Sequence, residues 1–108
     1  MAKKWQDFIS GLKDELGILA KEELITLVKD TKEDQESFIR RQGEKLELYL
    51  KQLATGKITK EQFEGYILDI VDLTRLQARK MRVRARARAQ RLVKNITKLL
   101  IDGLLKLL

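Results

Sequence analysis

Apolar residues recur every three or four positions along the second half of the chain, between Phe63 and Leu99. On a helix with about 3.6 residues per turn, this spacing collects them on one side. A pattern held over several heptads is typical of a helix that packs along its length against another helix. We therefore predict one long helix over about residues 60–106. The residues that share its apolar side are Phe63, Ile67, Thr74, Ala78, Met81, Ala85, Leu92, Ile96 and Leu99.

The first half of the chain repeats this spacing, but its first apolar stripe is not in register with the rest. The stripe from Trp5 to Leu19 is offset by about one residue from the pattern that follows it. Gly11 and Gly17 lie within that stripe, and a glycine weakens a helix by about 1 kcal/mol relative to alanine. We predict a helical arm over about residues 3–54, which is either continuous with a stutter or kinked near these two glycines.

Residues 55–59 interrupt the periodicity and predict a turn between the two arms. Gly56 stands where a helix commonly ends in a left-handed glycine. Thr59 and Gln62 have the spacing of a capping box, which starts a helix. A chain folded here brings four acids of the first arm beside four arginines of the second. These are Asp30, Glu33, Asp34 and Glu36, opposite Arg75, Arg79, Arg82 and Arg84.

These patterns predict an all-α protein with a single domain, residues 1–108, shaped as a long antiparallel helical hairpin. Each arm of about 48 residues would be about 70 Å long. The apolar faces at the open end of the hairpin are wider than one partner helix covers. We therefore expect a homo-oligomer, in which hairpins pair into a four-helix bundle or a larger helical assembly. The residues expected at this interface, or at a membrane interface, are Trp5, Phe8, Leu12, Leu92, Ile96, Leu99, Leu100 and Leu104.

The composition favours helices and excludes several kinds of site. The 108 residues include no proline, no cysteine and no histidine. Without cysteine and histidine there are no disulfides, no zinc sites of the usual kind and no Glu-x-x-His pairs for a di-iron centre. The segment ATGKIT around Gly56 lacks the first glycine and the spacer of a phosphate-binding loop. We expect that the chain is not an enzyme and takes no metal, no other cofactor and no small-molecule substrate.

Positive charge is concentrated in one segment. Lysine and arginine number 23 and aspartate and glutamate 16, which gives a net charge of +7. Residues 75–91 contain eight basic side chains and no acid, and the rest of the chain holds fifteen basic and sixteen acidic residues. On one helix the eight form two rows, about 160° apart, beside the apolar face. The first row is Arg75, Arg79, Arg82 and Arg86, and the second is Lys80, Arg84, Arg88 and Arg91.

Three interpretations of these eight residues remain open: binding of nucleic acid or another polyanion, binding of an anionic membrane surface, and a structural role. Arginine presents a planar fork that fits phosphate oxygens, so the segment is suited to nucleic acid or another polyanion. No aromatic residue follows Tyr66, and contact with nucleic acid would therefore be made with the backbone, independently of sequence. Alternatively, the arginines pair with acids of the first arm or of a partner chain and are structural.

The C-terminal segment LVKNITKLLIDGLLKLL has its polar residues in one sector of a helix. Such an amphipathic helix, preceded by basic residues, suits an anionic membrane surface, and it also suits the apolar stripe that follows Trp5. No apolar run approaches the roughly 18 residues of a membrane span, and the N-terminus lacks the pattern of a secretion signal. We expect a cytoplasmic protein, with attachment to a membrane surface left open.

Three functions follow from these patterns. The first is a non-enzymatic structural or interaction protein, a self-associating basic helical hairpin. The second is sequence-independent binding of nucleic acid or another polyanion through residues 75–91. The third is peripheral membrane binding through the C-terminal amphipathic helix and Trp5.

Overall fold

The computed structural model describes residues 5–11 and 18–107, and all regular elements in that part of the chain are helical. The all-α prediction is confirmed. The stutter or kink expected near Gly11 and Gly17 falls mostly on residues 12–17, which lie outside the described residues. The elements are α1 (Trp5–Ser10), α2 (Ile18–Lys32), α3 (Ser37–Ala54), α4 (Lys60–Ala78), α5 (Val83–Ile96), a π-helix (Thr97–Leu104) and α6 (Leu105–Leu107).

The predicted turn at residues 55–59 is present, and its caps form as the sequence indicates. Gly56 has a φ of 75°, the left-handed conformation that glycine adopts most readily. The Thr59 hydroxyl accepts a hydrogen bond from the N–H of Gln62 at 3.1 Å, and the Gln62 side chain accepts one from the N–H of Thr59 at 2.9 Å. This capping box starts α4. The rings of Tyr49 and Tyr66 stack with centroids 4.7 Å apart, which joins α3 to α4.

The two straight arms are not formed, because each predicted arm folds back in its middle. The first breaks at residues 33–36, between α2 and α3, and the second at residues 79–82, between α4 and α5. The described residues measure 39 × 26 × 26 Å, whereas straight arms would be about 70 Å long. α2 packs on α3, α3 on α4 and α4 on α5, while α5 and the π-helix return to α2. The chain therefore covers with its own helices the apolar faces that the sequence assigned to a partner.

Local side-chain bonding explains the first break. The carboxylate of Asp34 accepts a hydrogen bond from the N–H of Glu36 at 2.8 Å, and the Glu36 backbone is extended, with φ −77° and ψ 120°. Aspartate favours such turns because its side chain competes with the helical hydrogen bonds. After this turn α3 approaches α2 closely at Gly43, where a Cβ atom would lie 2.5 Å from the backbone nitrogen of Lys32. This helix crossing requires glycine.

Tertiary packing explains the second break, since no glycine, proline or turn-forming side chain lies at residues 79–82. The N–H groups of Lys80 and Met81 each bond the carbonyl three residues before them, and Arg82 is extended, with ψ 157°. The reversal lets α5 pack on α4 and buries Ala85 and Ala89, whose small side chains allow the two helices to approach closely. Like charges four residues apart also weaken an uninterrupted helix through this segment.

The C-terminal π-helix follows from two pairs of leucines that are five residues apart. The pairs are Leu99 with Leu100 and Leu104 with Leu105, and all four side chains are buried. An α-helix turns about 500° over five residues, so it would direct the two pairs about 140° apart. A π-helix bonds residue i to residue i+5 and brings the pairs closer to one side. Burial of the leucines thus favours the wider helix.

The core confirms the apolar side predicted for the second half of the chain. Of its nine predicted positions, eight are buried and Met81 is partly buried. The hydroxyl of buried Thr74 donates a hydrogen bond to the Ile70 carbonyl at 2.6 Å, which removes the cost of a polar group in the core. A single cluster of buried side chains extends from α1 to α6. The helix breaks leave the same residues inside because they reverse the chain without exchanging its inner and outer sides.

Candidate polyanion-binding surface

The eight basic residues of segment 75–91 surround the turn between α4 and α5. One lies on the last turn of α4, three lie in residues 79–82, and four lie on α5. Seven are exposed and Arg88 is half-buried. We name this set the basic surface: Arg75, Arg79, Lys80, Arg82, Arg84, Arg86, Arg88 and Arg91.

Arg88 is the one member of the basic surface that forms an ion pair within the part of the chain that the structure describes. Its Nε donates to Oδ2 of Asp34 at 3.0 Å, and its Nη2 donates to Oδ1 at 3.2 Å. The pairs predicted between straight arms are absent there, because the folds at 33–36 and 79–82 change which residues face each other. Seven basic side chains are therefore without a carboxylate partner among the described residues.

A groove of about 650 Å³ lies between α4 and α5 on one side of their turn, and we name it the α4–α5 groove. Arg75 and Arg79 line it from the α4 side and Arg86 from α5, and no acid is among its lining residues. A hydrogen bond of 3.2 Å from Nη2 to the Met81 carbonyl holds the Arg86 guanidinium. The other lining residues are Ala78, Ala89, Gln90 and Val93.

A second groove of about 520 Å³ lies on the other side of the turn, against the start of α3, and we name it the α3–α5 groove. Its lining includes the acid Glu36. Its basic lining residues are Lys80, Arg82, Arg84 and Arg88. The two rows predicted for one helix are thus largely kept apart, with Arg82 joining the second row and Arg91 lying elsewhere.

A third groove, of about 450 Å³, separates α2 from α5 and is mixed in charge. Arg88 and Arg91 line its α5 side, and Lys98 nearby lies 3.7 Å from Glu23. The acids that line it are Glu22, Glu23, Asp30 and Asp34. Because these acids offset the arginines, the third groove is less attractive to a polyanion than the other two.

The residues expected at an oligomer or membrane interface lie mainly in the chain's own core. Phe8 is partly buried against that core, and Leu12 lies outside the described residues. The buried members of the set are Trp5, Leu92, Ile96, Leu99, Leu100 and Leu104. The apolar side of the C-terminal segment is therefore covered by helices of the same chain, and it reaches a partner or a membrane only if that segment leaves the core.

Several apolar side chains of α4 are exposed and lie outside the residues predicted for an interface. Leu68, Leu73 and Leu76 are 43%, 38% and 57% exposed, and Val83 at the start of α5 is 76% exposed. Their exposure could have been predicted from the sequence, because these residues fall outside the three-and-four spacing of the buried side.

Other chemistry in the described residues is limited. No group of three or more acidic side chains in the described ranges is arranged to hold a metal ion. Partial burial alone would raise the pKa of Glu47, but hydrogen bonds and charges from Lys32 at 2.9 Å and Lys51 at 3.4 Å lower it. No described helix is both long and apolar enough to cross a bilayer.

Comparisons with protein-family models, with curated proteins and with solved structures give no match for this chain. Neither homology nor shared fold therefore indicates what the chain does. Its function must be inferred from the charge and shape of the basic surface and the grooves beside it.

Proposed function

We propose that the chain binds the phosphate backbone of double-stranded nucleic acid, without sequence preference, through the basic surface. One observation carries the proposal: seven of the eight basic residues have no carboxylate partner in the described part of the chain. Exposed arginines with free guanidinium groups can form charge-assisted, two-point hydrogen bonds with phosphate oxygens. Among the described residues, the interpretation in which acids of the same chain neutralise the segment has support at Arg88 alone.

The side chains available at the basic surface favour backbone contact over recognition of bases. No aromatic residue lies after Tyr66, and the Tyr66 ring is already stacked on Tyr49. Single-stranded nucleic acid is usually bound by stacking successive bases on several aromatic rings, whereas the two grooves beside the α4–α5 turn offer one ring, that of Phe38 in the α3–α5 groove. Arginine and lysine contacts to phosphates position a duplex without reading its sequence. A duplex is therefore the preferred partner.

The distribution of charge over the chain supports the same partner. Outside residues 75–91 the basic and acidic residues nearly balance, at fifteen and sixteen. The net charge of +7 therefore arises at the turn between α4 and α5. A positive field concentrated at one place speeds association with a polyanion and orients it during approach.

Binding should be measured by fluorescence anisotropy with a labelled duplex, at several salt concentrations. We expect the logarithm of the binding constant to fall linearly with the logarithm of salt concentration, by about 0.9 for each phosphate contact. If all seven unpaired residues engage, the slope reaches about −6. Two duplexes of equal length and unrelated sequence should bind equally. No binding at low salt, or a clear preference for one sequence, would contradict the proposal.

Self-association is a second candidate, supported by the exposed leucines of α4. Leu73 and Leu76, which lie three residues apart on one side of α4, would lose contact with water in a dimer that uses this face. Leu76→Asp should then convert the dimer to a folded monomer in sedimentation velocity. Leu99→Asp, at a position 5% exposed, should instead unfold the chain, because it places a charge in the core. A wild-type chain that is monomeric at micromolar concentration contradicts this candidate.

A further inference from the structure

The two grooves beside the α4–α5 turn differ in the acids around them. No acid lines the α4–α5 groove. In the α3–α5 groove Glu36 is a lining residue, and Arg88 is already bonded to Asp34. A phosphate in the α3–α5 groove would meet a negative side chain and would compete with a carboxylate for Arg88. Electrostatic attraction is therefore stronger in the α4–α5 groove.

The α4–α5 groove also has a shape suited to a narrow chain of charged groups. Ala78, Ala89 and Val93 are buried and form its floor, and the two alanine side chains end at Cβ. Arg75 and Arg79 are one helical turn apart, about 6 Å along the axis, on one wall. The third arginine lies on the opposite wall and is held in place by a backbone carbonyl. A guanidinium fixed before binding loses less conformational entropy when it binds a ligand.

We infer that the α4–α5 groove is the part of the basic surface that receives phosphates, and that its ligand is a chain of closely spaced phosphate groups. The chain would lie between Arg75 and Arg79 on one wall and Arg86 on the other, with the Gln90 amide as a neutral donor. Nucleic-acid backbone and inorganic polyphosphate share this chemistry. The inference rests on the proposed function and adds which arginines carry it.

Two triple variants test the inference, because they remove the same charge from opposite sides of the turn. The first variant carries Arg75→Gln, Arg79→Gln and Arg86→Gln, and the control carries Lys80→Gln, Arg82→Gln and Arg84→Gln. All six side chains are exposed, so both variants should fold, which circular dichroism would verify. Their affinities for a labelled duplex and for inorganic polyphosphate are compared at about 0.1 M salt. We expect the first variant to bind about tenfold more weakly than the control.

Equal losses in the two variants would overturn the inference and leave the proposed function standing, since binding would then follow net charge alone. Failure of the unmodified chain to bind either probe would instead overturn the proposed function. If the first variant loses affinity selectively for just one of the two probes, the result supports the groove and identifies that probe as its source of phosphates. A selective loss for both supports the groove for either source.

If the first triple variant does not fold, a pair of single variants tests whether the α4–α5 groove receives the phosphates. Gln90→Glu places a carboxylate in the α4–α5 groove, and Gln77→Glu places one in the α3–α5 groove. Both change the net charge by the same amount. We expect Gln90→Glu to weaken binding of the duplex about fivefold and Gln77→Glu less than about twofold. Equal effects would count against the groove.

Discussion

Asp34 and Arg88 are 54 residues apart in the sequence and form a two-point ion pair, with distances of 3.0 Å and 3.2 Å. The same carboxylate accepts the N–H of Glu36 at 2.8 Å. One side chain therefore both shapes the turn that follows α2 and fastens that turn to α5. Its 12% exposure places it among the less hydrated acids of the chain. The pair thus stabilises the fold and removes one arginine from the free basic surface.

Asp34→Asn should lower the free energy of unfolding by about 1–3 kcal/mol, because charge-assisted hydrogen bonds with limited exposure contribute more than surface pairs. The asparagine oxygen can still accept the Glu36 N–H, so the variant isolates the bond to Arg88. Urea denaturation measures the loss. Asp30→Asn is the control, since it makes the same charge change in the same groove without breaking an ion pair that the structure describes. Equal stabilities of the two variants would refute the role given to the pair.

Gly56→Ala should destabilise the chain by about 1 kcal/mol, since a residue with a Cβ atom is strained at a φ of 75°. The destabilisation does not come from a steric clash, because nothing lies within 4 Å of that Cβ position. Gly65→Ala provides the matched comparison inside α4, where the Cβ position is also open. There the change should stabilise by about 0.5–1 kcal/mol through helix propensity. Thermal melts that move in the same direction for both variants would contradict the left-handed turn.

Gly43→Ala should destabilise by about 3 kcal/mol, since the new methyl group would overlap backbone rather than a flexible side chain. Its Cβ atom would lie 2.5 Å from the nitrogen and 2.9 Å from the Cα of Lys32. The two helices must then separate, which reduces packing along the whole α2–α3 contact. The melting temperature, compared with that of Gly65→Ala, measures the effect. A melting temperature unchanged from wild type would mean that α2 and α3 do not cross this closely.

Glu47 should make stability depend on pH in the acid range. Its pKa is lowered in the folded chain by Lys32 and Lys51, despite the opposing effect of burial. The stabilisation is therefore complete above the ordinary glutamate pKa of about 4.3 and is lost as the pH falls through the lower folded pKa. Glu47→Gln should cost about 1 kcal/mol near neutral pH and clearly less near pH 3.

Urea denaturation at both pH values measures this difference. Glu44→Gln is the control, because Glu44 is exposed on the same helix and has no ion pair with the described residues. A loss for Glu47→Gln that is equally large at both pH values would show that its charge is not responsible.

Features that depend on neighbouring residues could be predicted from the sequence. Gly56, Thr59 and Gln62 act on their own backbone, so the turn at 55–59 is visible in a short window. The break at 79–82 is not visible there. Arginine, lysine and methionine favour helix in that segment, and the reversal is decided by packing between α4 and α5. The sequence indicates the break at 33–36 less clearly than it indicates the turn at 55–59. The indication is the turn-forming Asp34 within a polar stretch.

The candidate site was predictable in its residues but not in its shape. An acid-free run of eight basic side chains is evident in the sequence. Which of them remain unpaired depends on two chain reversals that bring Asp34 to Arg88 and keep the other acids away from ion-pairing distance in the described ranges. Propensity and periodicity carry no information about such distant contacts.

The position of the basic surface gives the molecule two unlike ends. α4 has 19 residues, so about 28 Å separates the turn at Gly56 from the turn that carries the arginines. A chain bound through its arginines would direct the Gly56 turn outward, and all bound copies would share that orientation. A fluorophore or surface linker on a cysteine introduced by Lys57→Cys would therefore leave the binding end unobstructed. Because the chain has no cysteine of its own, that thiol would be the single point of attachment and would immobilise every copy in one orientation.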